Sequence, residues 1–534
     1  MFASVKEKEI IKGEFRFSSL TCFGKENIVQ FAINYFSEFN INMASVDKKE
    51  LAKLIFVFDT NLKDGAYVLE ITSNVITILY GDNEGVRNAL ASVITAIDKK
   101  GDWFILPCCK IKDCPDITYR SAMIDIARGL PNYSRLKEDI KRLSLAKCNK
   151  IHLHLMDSLG ICYNSNVIPM NSQINGTKLY TKADLKTLVE YCQKLGIEII
   201  PEIEYPAHAL TLTSLLPNLK CQVDVENQSG WTVCLGNEQT YEFFEKLILE
   251  ICEIFPSKYI HIGGDEHCFD DLPDNRRYHW KDCKVCKKVM EKENISSERE
   301  LFYYGIKRFR DIADKYGRKI ILWNDELDVS KDVEIPNDCI VQFWRIANKH
   351  RGPRKGCSFE KLLQVGCRVI CSPFEYCYID LEEYANPEKV STFNFKSYAN
   401  DGEFANMICG GEVCAWEYGN PKYTHYPRSF TPSAILLLEK MWNGKNVCYD
   451  KEYRRALSKQ ILGFDIPNGY DLFELFGSIM PPRINGQNSY ATIKNELMDE
   501  ETLLMHKKIL NNIENTYSPI YLNLLKELIE EEMK

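Results

Sequence analysis

Between Arg120 and Trp442 the chain repeats one hydrophobic pattern. An amphipathic helical stretch is followed by Gly or Asn and then by a short apolar run that ends in polar or aromatic residues. The residue after a helix favours a left-handed conformation, which Gly and Asn tolerate best. Each such junction therefore predicts a helix that passes into a buried strand. The clearest junctions are at Asn149, Gly196, Gly317 and Gly366.

The apolar runs of this region predict eight strands with helices between most of them. The strands are expected near residues 120–127, 150–157, 197–204, 259–266, 319–325, 339–345, 368–374 and 407–417. The helices are expected at residues 134–148, 181–194, 240–253, 297–316 and 431–442. Eight strands that alternate with helices are typical of a (β/α)8 barrel, so the predicted fold class is α/β with a TIM barrel.

Two further regions flank the predicted barrel, which occupies residues 116–450 and is expected to be catalytic. Residues 1–115 contain short β-branched runs and one helical run, which predict a small α+β domain without a catalytic role. Residues 451–534 are amphipathic and helical in pattern, so a helical C-terminal region is expected there.

The composition is that of a globular protein, with 45% hydrophobic residues and a formal charge of −8. No basic run is interleaved with aromatic residues, so we do not expect nucleic acid as a partner. No apolar stretch has the length of a bilayer span, and the N-terminus lacks the apolar core of a signal peptide. We therefore expect no membrane partner and a cytoplasmic location. The 21 scattered cysteines predict reduced thiols rather than a disulfide framework, and the pattern does not predict an oligomeric state.

The candidate chemistry lies at the ends of the predicted strands, where TIM barrels carry their reactive residues. At residues 259–266 an apolar strand ends in two glycines and the adjacent acids Asp265 and Glu266. Adjacent acids are more often a solvated turn, but the strand and the glycines before them favour a site. Neighbouring carboxylates repel each other when both are ionised, so one retains its proton to a higher pH and becomes a usable general acid. Such a pair suits glycosidic bond cleavage.

The adjacency of these acids limits their roles. Side chains of neighbouring strand residues point to opposite faces, whereas the acid and nucleophile of an ordinary retaining glycosidase stand about 5–5.5 Å apart across the bond. A sugar with a 2-acetamido group supplies its own nucleophile, the acetamido carbonyl oxygen. Glu266 then protonates the leaving group, while Asp265 holds the acetamido nitrogen and offsets the positive charge of the oxazolinium intermediate.

At these residues the chain resembles glycoside hydrolase family 20, the β-N-acetylhexosaminidases, over about residues 50–445. The most specific motif is His261-Ile-Gly-Gly-Asp-Glu266, and three earlier blocks follow in the family's order. These blocks are Ile124-Asp-Ile-Ala-Arg128, Ile151-His-Leu-His-Leu-Met-Asp157 and Pro201-Glu-Ile-Glu-Tyr-Pro-Ala-His208. The resemblance implies an exo-acting, retaining, substrate-assisted enzyme that removes terminal β-linked GlcNAc or GalNAc. It also implies a small oligosaccharide or glycoconjugate substrate and no cofactor.

The resemblance implies roles for individual residues as well. Asp157 and His208 form a relay that supports Glu266, and Arg128 binds hydroxyls of the terminal sugar. Tyr378 donates a hydrogen bond to the acetamido oxygen, and aromatic walls enclose the acetamido methyl. The remaining residues expected to bind the substrate are Trp323, Trp344 and Trp416 as walls, with Asp380 and Glu417 on sugar hydroxyls.

Two features depart from the family pattern. Family members often have two acids where this chain has Asp157 and Ser158, which should affect only the outer part of the site. They also usually separate the last Trp and Glu by one residue, whereas Trp416 and Glu417 are adjacent here. The adjacency places the assignment of Glu417 to a sugar hydroxyl in question.

A cysteine pair, Cys283-x-x-Cys286, forms a second candidate site, with Cys268 and His279 nearby in the same loop. A single Cys-x-x-Cys is a weak zinc signal, and loop thiols are the favoured interpretation. No metal ligand is therefore predicted. If zinc is bound, its role is structural, closing a loop over the active site.

Two other functions compete with the glycosidase hypothesis. The histidines His152, His154, His208 and His261, with Asp265, suggest a metal-dependent barrel hydrolase. This hypothesis gives the tryptophans no role. A non-catalytic sugar-binding relative is the other alternative, although a binding protein has no need of an acid and its relay.

Overall fold

The structure, a computed structural model, describes residues 5–462 with internal gaps. The gaps are residues 170–172, 175–176, 224–228, 268–278, 328–337, 346–357, 380–386, 397, 399–404, 419–425, 445–446 and 448. Asp380, Cys268 and most of the predicted C-terminal helical region therefore lie outside the described residues.

The N-terminal part is an eight-stranded sheet with two helices, Glu26–Ser37 and Asn83–Ala96, packed on it. Two of its strands, Tyr67–Ile71 and Ile76–Tyr80, alternate buried and partly exposed residues, as expected for a sheet with one covered face. Asp82 caps the second helix by accepting a hydrogen bond from the backbone of Gly85. The strands are Glu7–Phe17, Leu20–Phe23, Met43–Ser45, Leu54–Phe58, Tyr67–Ile71, Ile76–Tyr80, Asp98–Lys100 and Trp103–Asp113.

The following region is a closed barrel of eight parallel strands, which confirms the predicted TIM barrel. Each strand pairs with its neighbours in chain order, and the last pairs with the first. The strands are β1 (Tyr119–Asp125), β2 (Lys150–His154), β3 (Glu198–Glu202), β4 (Tyr259–His261), β5 (Lys319–Trp323), β6 (Ile340–Phe343), β7 (Arg368–Cys371) and β8 (Ile408–Ala415). Their residues are almost all buried, because helices cover the outer face and side chains fill the interior.

Helices connect the barrel strands and agree with the predicted amphipathic stretches. The longer ones are Tyr133–Leu145, Lys182–Lys194, Glu238–Ile254, Glu298–Lys315 and Tyr426–Asn443. Shorter helices lie at Leu210–Leu215, Lys284–Lys292, Phe359–Gln364, Phe374–Cys377 and Pro387–Thr392, and Lys451–Leu462 follows the barrel. Among the described helices, none combines the length and the apolar character needed to cross a bilayer.

All four predicted helix-to-strand junctions are present, but the left-handed residue is the predicted one only at the glycines. Gly196, Gly317 and Gly366 have φ values of 66°, 67° and 90°. Before β2 the left-handed residue is Lys147, with φ 62°, and not Asn149. The Asn149 side chain instead accepts from the backbone N–H of Arg120 at 2.9 Å and donates to the Thr118 carbonyl at 2.7 Å. It joins the start of β2 to β1, a role that only the neighbouring strand reveals.

The barrel interior is layered. Four isoleucines, one each from β3, β5, β6 and β7, form a buried apolar cluster of the kind that fills the interior of this fold. They are Ile200, Ile321, Ile340 and Ile370. In β3, Glu202 lies two residues after Ile200, and in β5, Trp323 lies two residues after Ile321. These two side chains begin a layer of polar and aromatic residues toward the carboxyl ends of the strands. The fold thus concentrates reactive side chains at one end of the barrel.

Candidate active site

The two adjacent acids do not lie on the regular part of β4. That strand ends at His261, and the chain then turns through Gly263 and Gly264, whose φ values are 66° and 89°. Glu266 itself has φ 46°, in the left-handed region that non-glycine residues rarely adopt. The predicted strand to residue 266 is therefore too long, because this turn redirects the backbone.

The turn changes where the carboxylates point. Nε2 of His208 lies 3.5 Å from Oδ2 of Asp265 and 3.5 Å from Oε2 of Glu266. The expectation that alternation sends the two side chains to opposite faces is therefore wrong. Both acids converge on one imidazole, because the residues that carry them have left the strand.

His208 is held from its other side by Asp157. Nδ1 of His208 is 3.0 Å from Oδ2 of Asp157, and both side chains are buried. Burial by itself would lower the pKa of His208, but Asp265 and Asp157 outweigh burial and raise that pKa well above its ordinary value. The imidazole is therefore a cation at neutral pH, placed between Asp157 and the acid pair.

Asp157 is held ionised by its neighbours. Burial by itself would raise its pKa, but Arg128 and His208 outweigh burial and hold the pKa well below its ordinary value. Nη2 of Arg128 is 2.7 Å from Asp157, and Nη1 is 2.8 Å from Asp125. The Arg128 guanidinium also lies over the ring of Trp416, 5.0 Å from its centroid. Arg128 thus links Asp157 to the ring of Trp416.

Asp265 has a very different environment. Burial is the main cause that raises its pKa, to about 8; His208 opposes the shift, and the nearby charges of Asp325 and Glu266 add to it. Because Asp265 and Glu266 interact, the proton belongs to the pair rather than to either residue alone. Near neutral pH Asp265 therefore keeps its proton, so the pair has a proton to donate.

The predicted aromatic residues do come together. Trp323, Trp344 and Tyr378 form one buried cluster, against which Trp416 packs. The rings of Trp344 and Tyr378 stack with centroids 5.8 Å apart and an angle of 12°, and the Trp323 and Trp416 centroids are 5.9 Å apart. Trp323 is fixed by a hydrogen bond of 2.9 Å from its Nε1 to Glu202. These rings form a rigid apolar wall.

Glu417 lies beside this wall in a left-handed conformation, with φ 56°. Its backbone N–H donates to Oδ2 of Asp125 at 2.8 Å, and the same carboxylate holds Arg128. The Glu417 backbone and the Arg128 side chain therefore both donate to the Asp125 carboxylate, although Trp416 and Glu417 are adjacent in the sequence.

Two residues support the acid pair beyond those given a role from the sequence: Asp325, which the sequence marks only as a polar residue at a strand end, and Trp231, which it does not mark. Asp325 accepts hydrogen bonds from the backbone N–H of Glu266 at 3.0 Å and from Nε1 of Trp344 at 3.0 Å. Trp231 donates from Nε1 to the carbonyl of Glu266 at 2.8 Å, and its ring lies 4.4 Å from that of His208. The position of Asp325 just after β5 is a sequence signal for a site residue, because TIM barrels carry their reactive residues at the strand ends. Trp231 lies in a loop, where no local pattern marked it.

The histidines of the metal hypothesis are engaged with carboxylates inside the barrel. Nδ1 of His261 lies 2.9 Å from Glu202, Nδ1 of His152 lies 2.9 Å from Glu412, and His154 contacts Glu202. Three groups of such side chains have ligand atoms within 4.8 Å of each other. The group that reaches the acid pair contains Asp157, where the Arg128 cation already lies and opposes a second cation. This arrangement favours carboxylate–imidazole pairs over a catalytic metal centre.

Comparisons with known proteins give the family. The model of glycosyl hydrolase family 20, catalytic domain, matches residues 117–445. A β-hexosaminidase of Akkermansia muciniphila is 26% identical over 428 residues, which are 74% of this chain and 83% of that protein. A β-hexosaminidase of Porphyromonas gingivalis is 27% identical over 290 residues, which are 50% of this chain and only 36% of that protein.

Solved structures share the fold. The β-N-acetylhexosaminidase of Bacteroides fragilis has a TM-score of 0.74 at 24% identity and covers 86% of this chain and 94% of that one. The exo-β-N-acetylglucosaminidase of Vibrio harveyi, solved with N-acetylglucosamine, has a TM-score of 0.72 at 20% identity and covers 86% of this chain and 75% of that one. Because the catalytic-domain model spans well over half of the sequence, this chain belongs to glycosyl hydrolase family 20, a family of glycoside hydrolases.

Proposed function

We propose that the protein is an exo-acting β-N-acetylhexosaminidase. It hydrolyses terminal, non-reducing β-linked GlcNAc or GalNAc with retention, and the substrate's acetamido group is the nucleophile. The observation that carries this proposal is the convergence of Asp265 and Glu266 on Nε2 of His208, each at 3.5 Å. Two carboxylates that meet at one imidazole lie on one side of a bound sugar, so neither can attack the anomeric carbon from the opposite side, and the acetamido oxygen takes that role.

In this mechanism Glu266 is the general acid and later the general base. The acid pair retains one proton near neutral pH, and Glu266 holds that proton when the leaving-group oxygen takes it. The His208 cation, fixed by Asp157, stabilises the Glu266 carboxylate that remains. Water is then deprotonated by Glu266 as it opens the oxazolinium ring.

Asp265 is the ionised partner in the same step. Once the proton is on Glu266, Asp265 is an anion that orients the acetamido N–H and balances the positive charge of the oxazolinium. The aromatic wall of Trp323, Trp344, Tyr378 and Trp416 suits the acetamido methyl and the C–H faces of the sugar. Tyr378 would donate to the acetamido oxygen, and Arg128 and Glu417 would bind sugar hydroxyls.

The first test is a panel of nitrophenyl glycosides with the purified protein. We expect cleavage of the β-GlcNAc or β-GalNAc compound and none of the β-glucoside, because glucose lacks the acetamido nucleophile. Equal cleavage of the glucoside contradicts substrate assistance. No cleavage together with measurable binding of GlcNAc supports the sugar-binding alternative, and loss of activity with a chelator supports the metal-dependent one.

Glu266→Gln tests the acid role directly. Turnover of a substrate with a poor leaving group should fall by about 10²–10⁴-fold, whereas a leaving group that needs no proton should be affected much less. Glu245→Gln is the matched control, because Glu245, on the helix Glu238–Ile254, pairs at the surface with Lys315 of the helix Glu298–Lys315, outside the proposed site. Equal losses of turnover on both substrates would contradict the role of Glu266 as the general acid.

A further inference from the structure

Four buried cysteines converge beside the active site although they are far apart in the sequence. Cys221 and Cys234 lie in the segment after β3, and Cys283 and Cys286 lie at the start of the helix Lys284–Lys292 after β4. Their four Sγ atoms all lie within 4.8 Å of one another. Among the described residues, no other group of cysteines converges in this way.

The spacing of the sulfur atoms is that of a tetrahedral thiolate site. Sγ of Cys234 is 3.6 Å from that of Cys286 and 3.8 Å from that of Cys283, and Sγ of Cys221 is 3.8 Å from that of Cys286. Four sulfurs at about 2.3 Å from a central Zn²⁺ are about 3.8 Å apart. A disulfide instead needs sulfurs at about 2.05 Å, and none of the four is in a disulfide.

The chain segments are arranged as ligand-bearing turns. Cys283 is the N-cap of its helix and Cys286 lies three residues later, so the N-terminal end of the helix dipole favours thiolates there. The turn that carries Cys234 packs tightly on the same helix start, because a Cβ on Gly236 would lie 2.6 Å from the backbone N of Cys286. Core packing depends on side-chain volume and does not require four sulfur atoms to meet at one point, whereas a metal site does.

We propose that these cysteines bind one Zn²⁺ as a structural four-thiolate site. Thiolate ligands in a closed tetrahedron select Zn²⁺ among the abundant divalent ions, and such a site leaves no open position for substrate. The sequence-based interpretation of Cys283 and Cys286 as loop thiols missed Cys221 and Cys234, whose spacing from the pair is irregular. His279, considered a possible neighbour, is not in the group.

The site fastens the loop that supports the general acid. Trp231 lies between Cys221 and Cys234; it donates to the Glu266 carbonyl at 2.8 Å and packs on His208. Trp280, just before Cys283, donates from Nε1 to the Val233 carbonyl at 2.9 Å. Zinc therefore joins the segment whose Trp231 holds the backbone of Glu266 to the helix start that carries Cys283 and Cys286, without contact with the substrate.

The test is the metal content of the full chain, purified under reducing conditions and without an immobilised-metal column. We expect about one tightly held zinc per chain, and a zinc absorption-edge spectrum with sulfur neighbours at about 2.3 Å. Cobalt-loaded protein should show the absorption of a tetrahedral thiolate complex. The proposal is overturned if the folded protein contains no zinc, if it contains iron in place of zinc, or if the four cysteines form disulfides.

Cys234→Ser and Cys286→Ser should each lose most of the zinc and unfold at a lower temperature. Cys192→Ser is the matched control, because Cys192 is a buried thiol on the helix Lys182–Lys194 outside the group; it should keep the zinc. If the serine variants do not fold, the metal content and sulfur distances of the parent decide the question. Neither readout depends on glycosidase activity, so this proposal and the proposed function fail separately.

Discussion

At the scale of single residues, three residues of the proposed site have backbone conformations that non-glycine residues rarely adopt. His208, Glu266 and Glu417 all have positive φ values, of 51°, 46° and 56°. Such conformations cost of order 1–3 kcal/mol each and persist only where the surrounding structure imposes them. At Glu266 the constraint comes from two hydrogen bonds, because its carbonyl accepts from Trp231 and its N–H donates to Asp325. Side-chain identity marked these positions in the sequence, but their conformation was not predictable.

The shared proton gives a prediction for activity against pH. Above about pH 8 the acid pair loses its last proton, so kcat/KM should fall there. Asp265→Asn removes the negative charge that retains the proton, and the alkaline limb of its residual activity should move to lower pH. The measurement is kcat/KM across pH with a substrate whose leaving group needs protonation. A limb that stays in place would show that the two carboxyls do not share a proton.

Stability gives an independent check on the same group. The pKa of Asp265 is raised in the folded state, so its contribution to stability is present below its unfolded pKa and is lost as pH rises through about 8. The Asp265→Asn variant lacks this carboxyl, so it does not lose this contribution to stability as pH rises. Its unfolding free energy relative to the parent should therefore increase between about pH 5 and about pH 8. A constant difference, measured by urea unfolding at both pH values, would contradict the raised pKa.

At the scale of elements, the turn after β4 decides the geometry of the site. A Cβ on Gly263 would lie 2.0 Å from Oε2 of the buried Glu204, whereas a Cβ on Gly264 would meet only Leu322, at an ordinary 3.5 Å. Both glycines have positive φ, so an alanine at either position adds similar backbone strain. Alanine substitutions at the two glycines therefore separate the effect of backbone strain, which both share, from the effect of steric overlap, which only residue 263 has.

Gly263→Ala should abolish measurable activity and strongly destabilise the fold, because the Glu204 carboxylate must move. Gly264→Ala should cost about 1 kcal/mol of stability and keep most of the activity. Thermal unfolding and kcat/KM of both variants provide the comparison. If the two variants behave alike, the close approach to Glu204 is not what restricts residue 263.

At the scale of the whole molecule, one ion cluster joins the N-terminal sheet region to the barrel. Glu84 lies 2.8 Å from Arg87 and 2.5 Å from Arg120, and both arginines are buried. Arg87 also donates to the carbonyls of Lys147 and Cys148, which precede β2. The first helix turn after Asp82 is thereby locked against the amino ends of the barrel strands, opposite the proposed active site.

Glu84→Gln should lower the unfolding free energy by about 2–4 kcal/mol, because it leaves two buried guanidinium groups without their counter-charge. Glu70→Gln is the control, since Glu70 pairs with Lys110 on the surface and should matter by less than about 1 kcal/mol. Urea unfolding measures both. Activity of the folded variants should be unchanged, and a large loss of kcat in Glu84→Gln would mean that the two regions are coupled to the site.

The same cluster has a defined pH dependence. Burial by itself would raise the pKa of Glu84, but Arg87 and Arg120 outweigh it and lower the pKa from 4.5 to about 2. Its contribution is therefore present above its unfolded pKa and is lost as pH falls toward about 2. The stability difference between the parent and Glu84→Gln should narrow over that range.

Sequence alone determined the order of strands and helices, the barrel, the acid pair and the aromatic residues that cluster at the strand ends. These follow from local periodicity and residue type, which act over a few positions along the chain. Only tertiary structure decided that both acids reach one imidazole, that Trp231 and Asp325 hold the Glu266 backbone, and that four distant cysteines meet. Those features depend on turns and on contacts between segments tens of residues apart, where packing, not local pattern, sets the position of each side chain.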